Sequence, residues 1–202
     1  MKIIFICTKS VTFNTFLKSQ AEYFVKRGSE VLVACSDSEK LNFKTNLTYK
    51  INFPKTIIEL LNPFNYLKIF IQIKKLVKKN SSCVYYLHTP LASHLFRIFN
   101  YFNKIKIIYF VHGFRFTLQS NKWKNFFFKN IEKILSYKTN IFITINKHDF
   151  NYAKSNLIKK ALCYKINGVG LHVPTSYFAN KIRNKKEIKK ILVIAAYKKA
   201  KG

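Results

Sequence analysis

Short apolar runs alternate with amphipathic stretches along most of the chain. Runs of this kind are typical of strands buried on both faces, because helices that cover a parallel sheet leave few solvated positions. The predicted strands span residues 2–7, 30–34, 49–53, 83–87, 106–111, 141–145 and 161–166. The predicted helices span residues 15–27, 63–79, 91–102, 121–138 and 148–157. The pattern therefore predicts an α/β fold with a Rossmann-like doubly wound parallel sheet.

The helix at 63–79 is amphipathic and has two interpretations. Phe64, Leu67 and Ile71, with Leu76 on a neighbouring face, recur at helical spacing. We expect this apolar stripe to pack on the sheet, as it does in most surface helices. The alternative is that the Lys-rich polar face lies on a membrane.

The chain is strongly basic, which limits the partners it can have. It carries 37 Lys and Arg against 8 Asp and Glu, a net charge of +29 over 202 residues. Such a charge attracts polyanions and anionic lipid surfaces, but joint enrichment in Lys, Asn, Ile, Phe and Tyr is equally expected from an AT-rich genome. No zinc-finger spacing, RNP-like string or basic heptad array occurs in the sequence, so nucleic-acid binding ranks below small-molecule chemistry.

The sequence lacks the signatures of several other classes. Four scattered cysteines without a CxxC pair predict buried free thiols and a reducing cytoplasm. No apolar stretch reaches 18 residues, so no spanning helix is expected. No GxGxxG follows the first strand, which argues against a nicotinamide or flavin cofactor. No His, Cys, Asp or Glu cluster has metal-ligand spacing, so no metal is expected.

Polar residues follow four of the predicted strands. Thr8, His88, His112 and Asn146 each come directly after or within one residue of a strand end. Because the carboxyl ends of parallel strands meet at one edge, where open α/β folds bind ligands, we expect these residues to converge there. His112 should face an open cleft, with Gly113 turning the chain beside it. The alternative is that the histidines only satisfy local backbone groups.

Several short strings resemble a known family. They are HTP at 88–90, HGFRF at 112–116, IEK at 131–133, ITINKHD at 143–149 and GVG at 168–170. Together they resemble the N-terminal half of a bacterial GT-B glycosyltransferase of the family 4 type, which serves capsule, exopolysaccharide and O-antigen assembly. The chain departs from the family at Arg115, where the family has a second histidine, and at 193–196, where VIAA replaces SVGE.

The resemblance implies two facing Rossmann-like domains with the reaction between them. Residues 1–184 would form the acceptor-side domain, and residues 185–202 would be a linker and the first strand of a donor-binding domain that is otherwise missing. The implied reaction transfers a sugar from a nucleotide sugar, which is a substrate and not a cofactor, to a lipid-linked saccharide at the inner face of the cytoplasmic membrane. The alternative is an inactive remnant, and we expect no transfer by the 202-residue chain alone. Donor sugar, linkage and oligomeric state are left open.

The resemblance also implies roles for individual residues. His112 is the candidate catalytic residue, approaching the donor sugar near the anomeric centre. Arg115 could contact an acceptor phosphate through its planar guanidinium, although decay in a broken reading frame explains this substitution equally well. Glu132 has an alternative as an ion-pair partner of Lys129 or Lys133, and Asp149 as a helix-start residue. The substrate-binding candidates are His88, Gly113, Arg115, Glu132, Asn146, Thr8 and Asn14.

Overall fold

The structure is a computed structural model that describes residues 1–170 except 44–46, 55–58, 60, 117–119 and 158–159. The predicted boundary at 184/185 and the predicted strand at 191–196 lie outside the described residues. The resemblance at 193–202 lies outside them as well.

A seven-stranded, fully parallel sheet forms the centre of the molecule. The strands are β1 Lys2–Ile6, β2 Glu30–Cys35, β3 Thr48–Lys50, β4 Val84–Leu87, β5 Lys106–Val111, β6 Ile141–Thr144 and β7 Leu162–Lys165. Their order across the sheet is β3-β2-β1-β4-β5-β6-β7. The predicted doubly wound parallel sheet is confirmed, since the strand order reverses direction between β1 and β4.

Helices connect the strands. A helical turn at Ser10–Thr12 and a π-helical segment at Phe13–Leu17 lead into α1 at Lys18–Lys26. The later helices are α2 Pro63–Lys79, α3 Pro90–Phe99, α4 Lys122–Ser136 and α5 Lys147–Asn156, with short 3₁₀ turns at Ser38–Lys40 and Asn100–Phe102. Gly28 ends α1 in a left-handed conformation (φ +75°), as the sequence predicts.

The two faces of the sheet bury different helices. Alternate residues of a strand point to opposite faces, so Ile4 packs in a core with Ile73 of α2 and Phe96 of α3. Phe5 packs on the other face with Phe13 from the first helical region.

The first helical region begins five residues earlier than predicted. The local sequence offers no capping side chain at Lys9. Instead Asp37, at the end of β2, accepts a hydrogen bond from the Ser10 backbone N–H at 2.7 Å. A side chain 27 residues away thus accepts the hydrogen bond of a backbone N–H at the helix start. A local sequence pattern cannot reveal such a distant partner.

The buried face of α2 is not the predicted one. Ile69, Ile73 and Leu76 are buried, whereas Phe64 and Leu67 are exposed by 70% and 60%. The prediction that Phe64, Leu67 and Ile71 pack on the sheet is therefore wrong, because Ile69 and Ile73 form a competing apolar face. The predicted stripe, with Ile71 46% exposed as well, faces largely to solvent.

The cysteines match the prediction of free thiols. Cys7, Cys35 and Cys83 are buried and Cys163 is half-buried, and none is in a disulfide. None of the helices within the described ranges combines the length and the apolar character needed to cross a membrane.

Candidate functional site

The predicted site residues follow adjacent strands. β1 pairs with β4, β4 with β5, and β5 with β6, all parallel and in continuous register. The backbone positions of Thr8, His88, His112 and Asn146 therefore lie along one edge of the sheet, as the strand polarity predicts. Their side chains differ in burial and in hydrogen-bond partners.

His88 is enclosed in the interior at the end of β4. Its ring is fully buried and stacks on Phe5 with centroids 5.4 Å apart and an interplanar angle of 6°. Tyr86 and Phe110 pack against the same ring. The structure thus does not bring His88 to a position where it could touch a substrate, because apolar rings enclose it.

His112 lies above His88 and is half-buried. Its Nε2 atom is 3.4 Å from Nδ1 of His88, and its ring contacts Phe110 at 4.7 Å. Burial lowers the pKa of His112, so the imidazole is mainly neutral at pH 7. A neutral imidazole at a cleft edge can donate or accept a hydrogen bond.

Gly113 turns the chain directly after His112. Its φ is +148°, a conformation that L side chains rarely adopt, although a Cβ would meet no neighbouring atom. Glycine is required here by the backbone angle and not by crowding. The turn leads to Phe114 and Phe116, whose rings stack 5.0 Å apart in the interior.

Arg115 lies between Phe114 and Phe116 in the sequence, but its own side chain is exposed. Its guanidinium sits 5.1 Å from the centroid of the Phe128 ring on α4, a cation–π contact. The role expected for Arg115 at an acceptor phosphate stays a prediction.

Thr8 and Asn14 join neighbouring loops. The Thr8 backbone N–H donates to Thr89 Oγ1 at 3.0 Å, which ties the end of β1 to the end of β4. The Asn14 side chain donates to the Lys40 carbonyl and accepts from the Asn42 backbone N–H, both at 2.9 Å. Asn14 thus has both ends of its amide engaged in holding a loop.

Asn146 and Asp149 form a cap at the start of α5. Asn146 Oδ1 accepts from the Asp149 backbone N–H at 2.8 Å, and its Nδ2 donates to Asp149 Oδ2 at 2.7 Å. Asn146 is exposed and Asp149 is buried. The helix-start interpretation of Asp149 agrees with this geometry, and Asn146 shares that role.

Glu132 is placed in the interior and away from the cleft. It is 2% exposed, and its carboxylate accepts hydrogen bonds from Arg97 Nη1 at 2.8 Å and makes a 2.9 Å contact with His94 Nε2. Burial alone would raise its pKa, but Arg97 and His94 outweigh burial and lower the pKa of Glu132 to about 2. The expectation of substrate contact is corrected, and so is the alternative pairing with Lys129 or Lys133.

Three residues that sequence reasoning did not single out make structural contacts to the candidate residues or their loops. Thr89 bridges two strand ends, Asp37 caps the first helical region, and Arg97 anchors Glu132. The strand-end rule could have found Asp37, because it lies two residues beyond β2. Nothing local marks Arg97, which looks like any other basic residue on a helix.

A polar cavity opens beside the ends of β2 and β3. Its volume is about 500 Å³. Carboxylate, amide and hydroxyl groups line it together with several lysines. The polar lining residues include Ser36, Asp37, Asn52, Glu59 and Asn65. In the described part of the chain no three His, Cys, Asp or Glu side chains are grouped so as to hold a metal ion.

Comparison with known proteins finds bacterial relatives of this chain. EpsD of Bacillus subtilis (strain 168), described as a glycosyltransferase, is 27% identical over 174 residues, which cover 85% of this chain and 44% of that protein. An uncharacterized 41.2 kDa protein in the cps region of Klebsiella pneumoniae is 28% identical over 144 residues, covering 66% of this chain and 40% of that protein. The chain thus spans less than half the length of these relatives.

The fold has solved counterparts. Sucrose-phosphate synthase from Thermosynechococcus elongatus matches 82% of this chain and 47% of its own, with a TM-score of 0.63 and 10% sequence identity. At that identity the likeness shows the fold alone. The family model for glycosyl transferase 4-like proteins matches residues 2–146, which include β1 to β6 and every strand end described above. The chain belongs to the glycosyl transferase 4-like family.

Proposed function

We propose that the protein containing this chain transfers a sugar from a nucleotide sugar to a lipid-linked saccharide acceptor during synthesis of a surface polysaccharide. In this proposal the described residues form the acceptor-side half of the enzyme. The observation that carries it is the half-buried His112 at the carboxyl edge of β5, inside the segment matched by the family model. The acceptor, the donor and the polysaccharide are inferences beyond that match.

His112 would act by hydrogen bonding at the reacting sugar. A neutral imidazole fixed at the cleft edge can bind a sugar hydroxyl or the charge that develops near the anomeric centre. Such preorganised contacts stabilise a transition state more than a ground state, because they need no reorganisation during the reaction. The buried His88 below it keeps the ring in place.

The polar cavity beside β2 and β3 is the candidate site for the acceptor saccharide. Sugar hydroxyls both donate and accept, so they suit a lining that contains carboxylates such as Asp37 and amides such as Asn52. The cavity lies at the same edge of the sheet as His112. An acceptor bound there would reach the cleft without crossing the protein core.

The starts of α2 and α4 support a membrane-bound acceptor. Helices that follow parallel strands run antiparallel to them, so both starts lie at the carboxyl edge near the cleft. Phe64 and Leu67 of α2 and Trp123, Phe126 and Phe127 of α4 are 60% to 81% exposed. We call these five exposed side chains the aromatic edge; among them Phe127 packs edge-to-face against the neighbouring Phe128.

The charges around the aromatic edge suit an anionic lipid surface. Lys122 and Lys124 flank Trp123, and neither α2 nor α4 exposes an acidic side chain, since Glu132 is buried. Exposed rings next to lysines are the pattern of helices that lie in a lipid interface. A membrane at this edge would present a lipid-linked acceptor directly to the cleft, on the cytoplasmic side that the free thiols favour.

The reaction is tested with the protein that contains this chain, in bacterial membrane vesicles. A panel of radiolabelled nucleotide sugars is supplied, and label in the lipid-linked saccharide fraction is counted. We expect label from one donor class, reduced on the order of 100-fold by His112→Ala and unaffected by His148→Ala, an exposed histidine on α5. No label from any donor would contradict the proposal and favour an inactive remnant.

Membrane binding is tested separately through Trp123, the single tryptophan of the chain. Vesicles containing anionic lipid should shift its emission to shorter wavelength, and added salt should weaken binding. Changing Phe126 and Phe127 to Ser should weaken binding about tenfold or more. Phe102→Ser is the matched control, because Phe102 is 90% exposed at the opposite edge of the sheet. Equal binding to neutral vesicles at high salt would contradict the proposed surface.

A further inference from the structure

One of the two ring nitrogens of His88 has no hydrogen-bond partner. His88 Nδ1 faces His112 Nε2 at 3.4 Å, but the other ring nitrogen of His88, Nε2, is buried without a hydrogen-bond partner. Phe5, Tyr86 and Phe110 enclose that ring. The apolar enclosure therefore determines which of the two histidines donates the hydrogen bond between the rings.

Two arrangements of that proton are chemically possible. A neutral imidazole carries one N–H and one lone pair. If His112 donates to His88, then His88 must carry its own proton on the partnerless Nε2. A buried donor without an acceptor costs about 1–3 kcal/mol, and orphaned N–H groups are rarer in proteins than under-satisfied acceptors. If His88 donates instead, only a lone pair is left at Nε2.

We propose that His88 is a positioning residue that donates from Nδ1 to Nε2 of His112 and so fixes His112 as the neutral Nδ1–H tautomer. The single N–H that His112 can offer a ligand is then on Nδ1. No other described residue hydrogen bonds to that ring. Burial lowers the pKa of both histidines, and the neighbouring His112 lowers that of His88 further, which agrees with a neutral pair.

This arrangement gives His112 a definite chemical role. With Nε2 occupied by His88, His112 acts through Nδ1 as a hydrogen-bond donor to a sugar oxygen. It holds no second proton to release as a general acid. The use of that donor on a sugar rests on the proposed function, whereas the tautomer itself does not.

The tautomer can be measured on the chain without any ligand. Long-range ¹H–¹⁵N correlation spectra of the imidazoles distinguish Nδ1–H from Nε2–H in each of the five histidines. We expect His112 to show the Nδ1–H pattern. His88→Asn should preserve it, because the amide nitrogen of Asn takes the place of Nδ1 and also donates. His88→Leu removes the donor and places an apolar side chain among the enclosing rings. It should shift His112 towards the Nε2–H tautomer.

Controls separate this inference from the proposed function. His148→Asn, at an exposed position on α5, should leave the His112 signals unchanged. An Nε2–H pattern in the unmodified chain would overturn the inference, as would an unchanged His112 pattern in a folded His88→Leu variant. If that variant does not fold, the unmodified chain and His88→Asn still decide the question.

Turnover gives the second readout, in the protein that contains this chain. His88→Leu should lower kcat about 10-fold to 100-fold with little change in KM, since misplacement of a reacting group affects the chemical step. His88→Asn should restore most of that loss. An Nδ1–H pattern together with no sugar transfer would contradict the proposed function and leave the positioning role intact.

Discussion

Replacing Arg97 with Met should destabilise the fold through Glu132. Arg97 is fully buried, donates to Glu132 at 2.8 Å and lies over the Tyr109 ring at 4.2 Å. Methionine keeps much of the side-chain volume and removes the charge. Glu132 would then be a buried carboxylate with His94 as its main partner.

The size of the effect follows from the pKa of Glu132. Its partners lower its pKa from the ordinary value of 4.5 to about 2. A gap of this size corresponds to about 3 kcal/mol of folding free energy at neutral pH. Removing one partner of a buried pair costs about 3–5 kcal/mol, so we expect Arg97→Met to lower the free energy of unfolding by roughly 3 kcal/mol.

The pH dependence has a definite sign. Because the folded-state pKa is depressed, the carboxylate of Glu132 contributes its full stability above pH 4.5 and loses it as the pH falls towards 2. Urea unfolding should therefore show a difference between the unmodified chain and Arg97→Met that is largest at neutral pH and narrows below pH 4.5.

A surface pair supplies the control for this measurement. Lys18 and Glu22 are partly exposed and 4.0 Å apart, so Glu22→Gln should change stability by less than about 1 kcal/mol. The double variant Arg97→Met with Glu132→Leu should recover most of the loss, since no charge is then left buried. A loss for Arg97→Met no larger than for Glu22→Gln, or one that is independent of pH, would refute the reasoning.

Two further substitutions test the backbone around the cleft. Gly113→Ala should lower the free energy of unfolding by about 1–3 kcal/mol, because an L residue is strained at φ +148°; Gly28→Ala, also at positive φ (+75°) but at the end of α1, should cost a similar amount in urea unfolding and spare any ligand binding. Asn146→Ala should cost about 1 kcal/mol through loss of the α5 cap, which thermal unfolding would detect, and Asn156→Ala at the exposed end of the same helix should cost less.

Sequence reasoning was most successful where one local rule decides the outcome. Buried strands are continuous apolar runs, and β5 has its predicted bounds at Lys106–Val111. The helix α2 also has its predicted bounds, Pro63–Lys79. Strand polarity then places His88 and His112 at the same edge without any further information. These features depend on neighbouring residues and on chain direction alone.

The predictions that failed depend on partners far away in the sequence. Glu132 is paired with Arg97, 35 residues earlier, and not with the adjacent lysines. His88 points into the ring cluster around Phe5, which no strand-end rule can show. The helix α2 has two apolar faces, and the one that contains Ile73 packs in the core. Side-chain direction at a strand end and the choice between similar helix faces are settled by tertiary packing.

The most direct test of the central claim compares turnover and folding in His112→Ala. If His112 serves the reaction from the cleft edge, the protein that contains this chain should lose on the order of 100-fold in kcat with that change. Its free energy of unfolding should fall by no more than about 1–3 kcal/mol, the cost of leaving the buried Nδ1–H of His88 without its acceptor. A variant that unfolds readily while its folded fraction keeps full turnover would contradict the account and make His112 a structural residue.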